Sequence, residues 1–152
     1  MGGVRGTAAM LGSALPHCDP SSVSLELLVN GQTHRLDVDP ATPLLFVLRE
    51  ALGLHAAKLG CGLEQCGACA VLVDGKSTLS CASPAGAFVG REITTAEGLG
   101  QSPLGVRIRD TLARHGAGQC GYCLPGIYIA LGALFIDRPA PDEAGIRGAA
   151  EA

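Results

Sequence analysis

Four of the seven cysteines in this 152-residue chain lie within residues 58–81, KLGCGLEQCGACAVLVDGKSTLSC. They are spaced Cys61-x4-Cys66-x2-Cys69-x11-Cys81. Thiols grouped in this way form disulfides, bind structural zinc or hold an iron–sulfur cluster. An odd number of cysteines fits a complete disulfide set badly. Zinc ribbons usually offer two short Cys-x2-Cys knuckles, whereas this segment has one. An iron–sulfur cluster is therefore the favoured interpretation, and zinc remains the alternative.

The cysteine spacing and the glycines both favour the cluster. Cys-x4-Cys-x2-Cys with a distant fourth cysteine is the spacing of plant-type 2Fe–2S ferredoxins. A loop around a small anionic cluster must turn tightly and direct backbone N–H groups at the sulfur atoms. Gly60, Gly62 and Gly67 suit such a loop because glycine accepts positive φ and allows close approach of the backbone.

A second, smaller cysteine pair, Cys120 and Cys123, lies in GQCGYC between two helical stretches. On its own, Cys-x2-Cys predicts either half of a metal site or a redox dithiol. A redox dithiol is expected after a strand in a βαβ unit, but the segment upstream here reads as a charged helix, so half of a metal site is favoured. Cys18 is interpreted as a free thiol that binds no metal.

Charge and hydropathy exclude several classes of function. The net charge is −3 and no Lys/Arg run occurs, which argues against binding of nucleic acid. No apolar stretch reaches the roughly 18 residues typical of a membrane span. Residues 1–22 make a poor signal peptide and are predicted to be a disordered extension. Without a signal, the chain is expected in the cytoplasm.

The first part of the chain predicts a small sheet packed on one helix. Strands at 23–29 and 33–38 flank an Asn-Gly turn, which is a strong hairpin signal. A helix is expected from Pro43, with Thr42 as its N-cap. A second hairpin is expected to turn at Asp74-Gly75, after the cysteine loop.

The second part predicts helices. Ser102-Pro103 forms a cap and first turn, and Gly116 closes that helix. The stretch Leu124–Ile136 carries no charge and is expected to be buried between other helices. A third helix is predicted to open at Asp142.

At this point the motifs resemble a known family. In order, GCGLEQCGACAVLVDG, SC, REITTAEGLG and QCGYC are similar to the small iron–sulfur subunit of molybdenum hydroxylases, the group of xanthine dehydrogenase. The residues of these motifs are most similar to those of the nicotinate dehydrogenase and isoquinoline oxidoreductase branch. The resemblance implies an α+β fold, with a ferredoxin-like β-grasp domain over residues 23–98 and a helical bundle domain over residues 99–152.

The resemblance also implies two 2Fe–2S clusters and assigns residues to them. The outer cluster would be held by Cys61, Cys66, Cys69 and Cys81. Cys120 and Cys123 would hold half of the inner cluster, which lies nearest to the molybdopterin of a large partner subunit, and Gln119 would hydrogen-bond the pterin. In the family, a later Cys-Arg-Cys motif completes the inner site. No such motif follows here, so the sequence is truncated before the last helix, the site is degenerate, or another chain completes it; truncation is the favoured expectation.

The implied function is relay of single electrons. Electrons would pass from molybdenum in the large subunit to a flavin subunit or a cytochrome c domain, during water-dependent hydroxylation of an N-heterocycle or an aldehyde. No bond-making site is expected in this chain. The alternatives are a free-standing ferredoxin-like carrier that holds only the outer cluster, and a zinc-stapled interaction module.

Overall fold

A five-stranded mixed sheet organises the first part of the chain in the computed structural model, which describes residues 24–151. Its order is β2-β1-β5-β3-β4. β1 and β5 run parallel, and the other neighbouring strands are antiparallel. The strands are β1 (Ser24–Val29), β2 (Gln32–Asp37), β3 (Ala70–Val73), β4 (Lys76–Leu79) and β5 (Glu92–Thr94). The predicted extension, residues 1–22 with Cys18, lies outside the described residues.

Both predicted hairpins are confirmed. β1 pairs with β2 across Asn30-Gly31, and β3 pairs with β4 across Asp74-Gly75. Both residues of each turn have positive φ, as this type of two-residue turn requires. The sequence does not predict β5, because three residues are too few to show the alternation of apolar and polar side chains that identifies a strand.

The helix predicted after Pro43 is present, but Thr42 as its N-cap is wrong. The segment forms a short helix α1 (Leu44–Phe46) that widens into a π-helical turn, Val47–Ala51, and no side chain caps it. The first N–H groups of the helix instead donate to backbone carbonyls beyond β4. Leu44 N bonds Ser83 O and Leu45 N bonds Ser80 O, each at 2.9 Å. These donors need no side-chain partner, so the cap is unnecessary.

The helices of the second part are α2 (Ala96–Leu99), α3 (Pro103–Arg114), α4 (Leu124–Asp137) and α5 (Glu143–Glu151). Three of them, α3 to α5, begin where the sequence predicts, whereas the short α2 before them is not predicted. Ser102 caps α3, with its hydroxyl accepting from Gly105 N at 3.0 Å. As predicted, α4 is largely enclosed: its residues from 124 to 135 are buried or half-buried, and only Ile136, which is 49% exposed, and Asp137 at its end face solvent. The predicted division between residues 98 and 99 falls inside α2.

Strand β3 joins the two parts of the fold. All four of its residues are buried, and successive residues point to opposite sides of the sheet. Val71 and Val73 pack into the core between the sheet and α1, whereas Ala70 and Leu72 pack among the helices. The helical segment is therefore built directly onto the back of the strand that follows the cysteine loop.

Asn30 ties the first hairpin to the start of the helical segment. Its side-chain oxygen accepts from Thr95 N at 2.9 Å, and its amide donates to the Thr95 hydroxyl at 3.1 Å. Asn30→Gly keeps the positive φ but leaves the buried Thr95 N–H without a partner. We expect a loss of about 1–3 kcal/mol in the free energy of unfolding, measured with urea. Asn30→Asp keeps the accepting oxygen and should lose less; equal stability of Asn30→Gly and wild type would contradict this role.

No helix among residues 24–151 is long and apolar enough to cross a membrane.

Candidate metal centre

The second hairpin explains why Cys69 and Cys81 are separated by eleven residues. Ala70 lies opposite Leu79 in the β3–β4 pair, so the residues just outside the two strands are brought together. The buried Ser80 hydroxyl donates to Cys69 O at 2.7 Å and holds the two ends of the hairpin in contact. Cys69 and Cys81 are both buried there, with 1% and 6% exposure. The sequence does not predict this role of Ser80, since a lone serine beside a cysteine gives no signal.

The other two cysteines lie on the loop that precedes β3. Gly62 and Gly67 have φ of +68° and +73°, which confirms that glycine serves the turns of this loop. Cys61 Sγ accepts from the N–H groups of Leu63 and Gln65 at 3.3 and 3.2 Å. Cys61 N in turn donates to Cys66 Sγ at 3.3 Å. Both of these cysteines are exposed.

Gly60 is required by the close packing of this loop. A Cβ atom placed on Gly60 would lie 2.5 Å from Cys66 Sγ, nearer than real Cβ contacts allow. The loop is also held from outside, since Arg49 donates to the carbonyls of His55 and Ala57 and the Ser83 hydroxyl donates to Glu64. The two thiols at the tip of the loop are thus positioned by the surrounding backbone before any metal binds.

Thiol pKa values follow from these contacts. Hydrogen bonds from the backbone N–H groups of Gln65, Leu63 and Cys66 lower the pKa of Cys61 to about 6. Burial raises the pKa of Cys81, and the neighbouring thiols of Cys69 and Cys61 raise it further against a lowering bond from Glu64 N. A metal centre at this position would favour the thiolate form of each cysteine, because metals bind thiolates.

The four thiols form two pairs, and this arrangement fits a 2Fe–2S cluster. Cys61 N donates to Cys66 Sγ on the loop, and Cys69 and Cys81 lie at the two ends of the β3–β4 hairpin that Ser80 holds together. In such a cluster two irons are held by four thiolates, so two pairs can each serve one iron. Within residues 24–151, no three His, Cys, Asp or Glu side chains are grouped so as to hold a single metal ion. Two pairs of thiols are the ligand set that a two-iron cluster needs, one pair for each iron.

Cys120 and Cys123 are placed apart from these four, in the loop between α3 and α4. Both are exposed, as is Gln119, and Cys123 is the N-cap residue of α4. The first turn of α4 nevertheless lies against the first cysteine loop, residues 58–69: a Cβ on Gly126 would overlap the carbonyl oxygen of Gly67. The structure thus brings the two cysteine loops side by side, which their separation in sequence does not reveal.

Glu97 links α2 to the segment before the cysteine loop, where its carboxylate accepts from Ala56 N at 2.8 Å. Burial by itself raises the pKa of Glu97. Hydrogen bonds from Thr95, Ala56 N and its own N–H outweigh burial, so its pKa lies below the ordinary 4.5. A carboxylate with a lowered pKa stabilises the fold above its unfolded pKa, and that stabilisation is lost as the pH falls through the folded-state pKa.

We therefore expect Glu97→Gln to be less stable than wild type at pH 7, with the difference shrinking as the pH falls below about 4. Urea unfolding of both proteins at a series of pH values measures this difference in stability. Titratable groups present in both proteins contribute equally to the two free energies of unfolding, so they cancel in the difference between wild type and variant. A stability difference that does not change with pH would show that the Glu97 charge has no such role.

Comparisons with known proteins support 2Fe–2S binding by both cysteine-containing parts of the chain. Residues 27–94 match the model of the 2Fe-2S iron-sulfur cluster binding domain, and residues 95–152 match that of the [2Fe-2S] binding domain. A nicotinate dehydrogenase subunit of Pseudomonas putida is 41% identical over 124 residues, covering 82% of this chain and 79% of the relative. The alpha subunit of isoquinoline 1-oxidoreductase from Brevundimonas diminuta is 38% identical over 123 residues, covering 80% of each chain.

A solved structure agrees in fold as well as sequence. Quinoline 2-oxidoreductase from Pseudomonas putida 86 superposes with a TM-score of 0.75 at 33% identity, over 83% of this chain and 78% of that chain. The expected family and the mixed α+β fold are therefore confirmed, and the chain has two 2Fe–2S binding domains. This chain belongs to the family of small iron–sulfur subunits of the molybdenum hydroxylases, the xanthine dehydrogenase family.

Proposed function

We propose that this chain is the electron-transfer subunit of a molybdopterin-dependent hydroxylase or dehydrogenase. It would receive single electrons from a molybdenum site in a large partner subunit and pass them to an external acceptor. The observation that carries this proposal is the placement of Cys61 and Cys66 on one loop and of Cys69 and Cys81 at the ends of the following hairpin. Backbone N–H groups are directed at the sulfur atoms of the two loop cysteines. The relatives named above support it, since they are subunits of a nicotinate dehydrogenase and of an isoquinoline 1-oxidoreductase.

The residues of this chain would hold and tune the outer cluster. When bound, a 2Fe–2S cluster accepts and releases one electron at a time. Cys61, Cys66, Cys69 and Cys81 would be its ligands. The N–H groups of Leu63 and Gln65 stabilise negative charge on sulfur and so favour the reduced state. Cys69 and Cys81 are buried against the sheet, while the exposed Cys61–Cys66 side leaves one edge open to a redox partner.

The helical segment would serve the inner cluster. We assign Cys120 and Cys123 to it as two ligands, and Gln119 as the contact to the pterin of the large subunit. α2 to α5 would form the bundle around this site. The substrate would be an N-heterocycle or an aldehyde, bound by the large subunit, and the acceptor a flavin subunit or a cytochrome c domain. The names of relatives support the substrate classes, because they include nicotinate dehydrogenase, isoquinoline 1-oxidoreductase and the iron-sulfur-binding subunit of an Escherichia coli aldehyde oxidoreductase.

Metal analysis of the anaerobically purified protein tests the proposal. We expect two irons and two acid-labile sulfides for each 2Fe–2S domain, and two distinct EPR signals after reduction with dithionite. Iron for one cluster only would support the alternative of a carrier with the outer cluster alone, because the described helical residues include only Cys120 and Cys123 as thiols. A colourless, zinc-loaded and EPR-silent protein would contradict the function altogether.

A further inference from the structure

A side-chain hydrogen bond joins the first cysteine loop to the segment that follows Cys81. The Ser83 hydroxyl donates to Glu64 Oε1 at 2.7 Å, the usual length of an O–H···O bond. Ser83 is itself fixed, because its carbonyl oxygen accepts from the N–H of Leu44, which is fully buried at the start of α1. The bond therefore ties an exposed residue of the loop to a segment that is anchored in the core.

The backbone of Glu64 has a conformation that residues with a side chain rarely adopt. Its φ is +54°, in the left-handed region, where the Cβ atom crowds the backbone and glycine is preferred. The other two positive-φ positions of this loop are glycines, Gly62 and Gly67, which adopt it without strain. A strained residue keeps such a conformation only where surrounding contacts hold it, and the bond from Ser83 is a contact of this kind.

The conformation of Glu64 decides where the neighbouring backbone N–H groups point. Those of Leu63 and Gln65 both donate to Cys61 Sγ, at 3.3 and 3.2 Å. The N–H of Gln65 belongs to the peptide group that joins it to Glu64, so its direction follows from the backbone dihedrals of Glu64. Burial raises the pKa of Cys81, and the N–H of Glu64, which bonds its sulfur, lowers it. Three consecutive N–H groups thus form a concave site for negative charge on sulfur.

We propose that Ser83 is a positioning residue, which holds Glu64 so that these three N–H groups stay directed at the cysteine sulfurs, and thereby raises the reduction potential of the outer cluster. The inference rests on the function proposed above, but only on its outer cluster. Reduction adds one electron, and with it one negative charge, to the cluster and its thiolates. No bond is formed or broken, and Ser83 keeps its proton. N–H groups directed at sulfur stabilise the added charge and so favour the reduced state.

Ser83→Ala removes the hydroxyl and leaves the backbone bond to Leu44 in place. Without the tie, Glu64 relaxes from its strained conformation and the N–H groups turn away from sulfur. We expect the equilibrium constant for one-electron reduction of the outer cluster to fall several-fold, measured as a more negative midpoint in a dithionite titration of the full chain. The titration follows the EPR signal that Cys66→Ser removes. Iron content should equal that of wild type, because all four thiols are retained, and Ser83→Thr, which keeps a hydroxyl, should restore the wild-type potential.

Two further variants separate this role from a general loosening of the loop. Tyr122→Phe removes another bond to the same loop, since the Tyr122 hydroxyl donates to the carbonyl oxygen of Leu59 at 2.7 Å. Leu59 lies before the three N–H groups, so this variant should keep the wild-type potential. Glu64→Gly removes the acceptor of the Ser83 hydroxyl. Adding Ser83→Ala to Glu64→Gly should therefore leave the potential of the outer cluster where Glu64→Gly alone has set it.

A wild-type potential in Ser83→Ala would overturn the proposal, as would an equal shift in Tyr122→Phe or a further shift when Ser83→Ala is added to Glu64→Gly. Loss of outer-cluster iron from Ser83→Ala would also overturn it, because Ser83 would then be needed to retain the cluster. A failure of the proposed function has a different signature, since wild type itself would then contain no iron. A chain that carries the outer cluster alone still gives the full titration, so the test needs neither a second cluster nor a partner subunit.

Discussion

Cys66→Ser is expected to abolish the normal EPR signal of the outer cluster and to remove up to two irons per chain. Cys66 forms one of the two thiol pairs, and Gly60 leaves no room for another side chain beside its sulfur. A serine hydroxyl is a harder and far less acidic ligand than a thiol, so it holds iron poorly. Because the folding of a metal-binding loop is coupled to metal binding, the loop should also become more sensitive to proteolysis.

Cys18→Ser is the matched control for this change. It makes the same replacement at the cysteine predicted to bind no metal, so its iron content and spectrum should equal those of wild type. An unchanged spectrum in Cys66→Ser would remove Cys66 from the ligand set. Loss of the signal in Cys18→Ser would instead overturn the prediction that Cys18 is a free thiol.

Gly126→Ala is expected to force α4 away from the first cysteine loop, residues 58–69. The added methyl group would overlap the Gly67 carbonyl oxygen and would lie 3.2 Å from Ala68 Cα. Both neighbours are backbone, which cannot rotate aside as a side chain can. We expect a loss of about 1–3 kcal/mol in the free energy of unfolding, as is typical of overpacking, despite the higher helix propensity of alanine.

Gly148→Ala is the control that separates the effect of packing on stability from the effect of helix propensity. Gly148 lies in α5, and a Cβ placed there would meet no atom within 4 Å. This variant should be neutral or up to about 1 kcal/mol more stable than wild type, since alanine favours helix. Thermal or urea unfolding of both variants measures the effects. Equal stability changes in the two would show that contact between α4 and the cysteine loop is not tight.

Local chemistry makes several features predictable. Each hairpin turn depends on two adjacent residues that accept positive φ, and the Ser102 cap depends on a hydroxyl three residues before its donor. The first three cysteines lie on one loop, and a single hairpin separates the third from the fourth. Because both are local structures, the spacing of the cysteines is enough to predict an iron–sulfur site. Each of these signals lies within about twenty consecutive residues of the chain.

Features that depend on distant partners are missed or wrong. The sequence predicts Thr42 as a cap, but the N–H groups of α1 find carbonyls at Ser80 and Ser83, about 35 to 40 residues further along the chain. β5 pairs with both β1 and β3, although its three residues show no period of their own. β3 is buried on both faces because the helices cover the side of the strand that faces away from α1. In the sequence, the only sign of this burial is that all four residues of β3 are apolar.

The sequence by itself determined the kind of metal chemistry, the two hairpins and the starts of the main helices, because those properties depend on residues near one another along the chain. The tertiary structure decided how the thiols are grouped into pairs and that Ser80 holds the hairpin ends together. It also decided that Tyr122 reaches Leu59 across 63 residues. Contacts of that kind exist only once β3 has packed between the two parts of the fold, since no local pattern encodes which distant surfaces will meet.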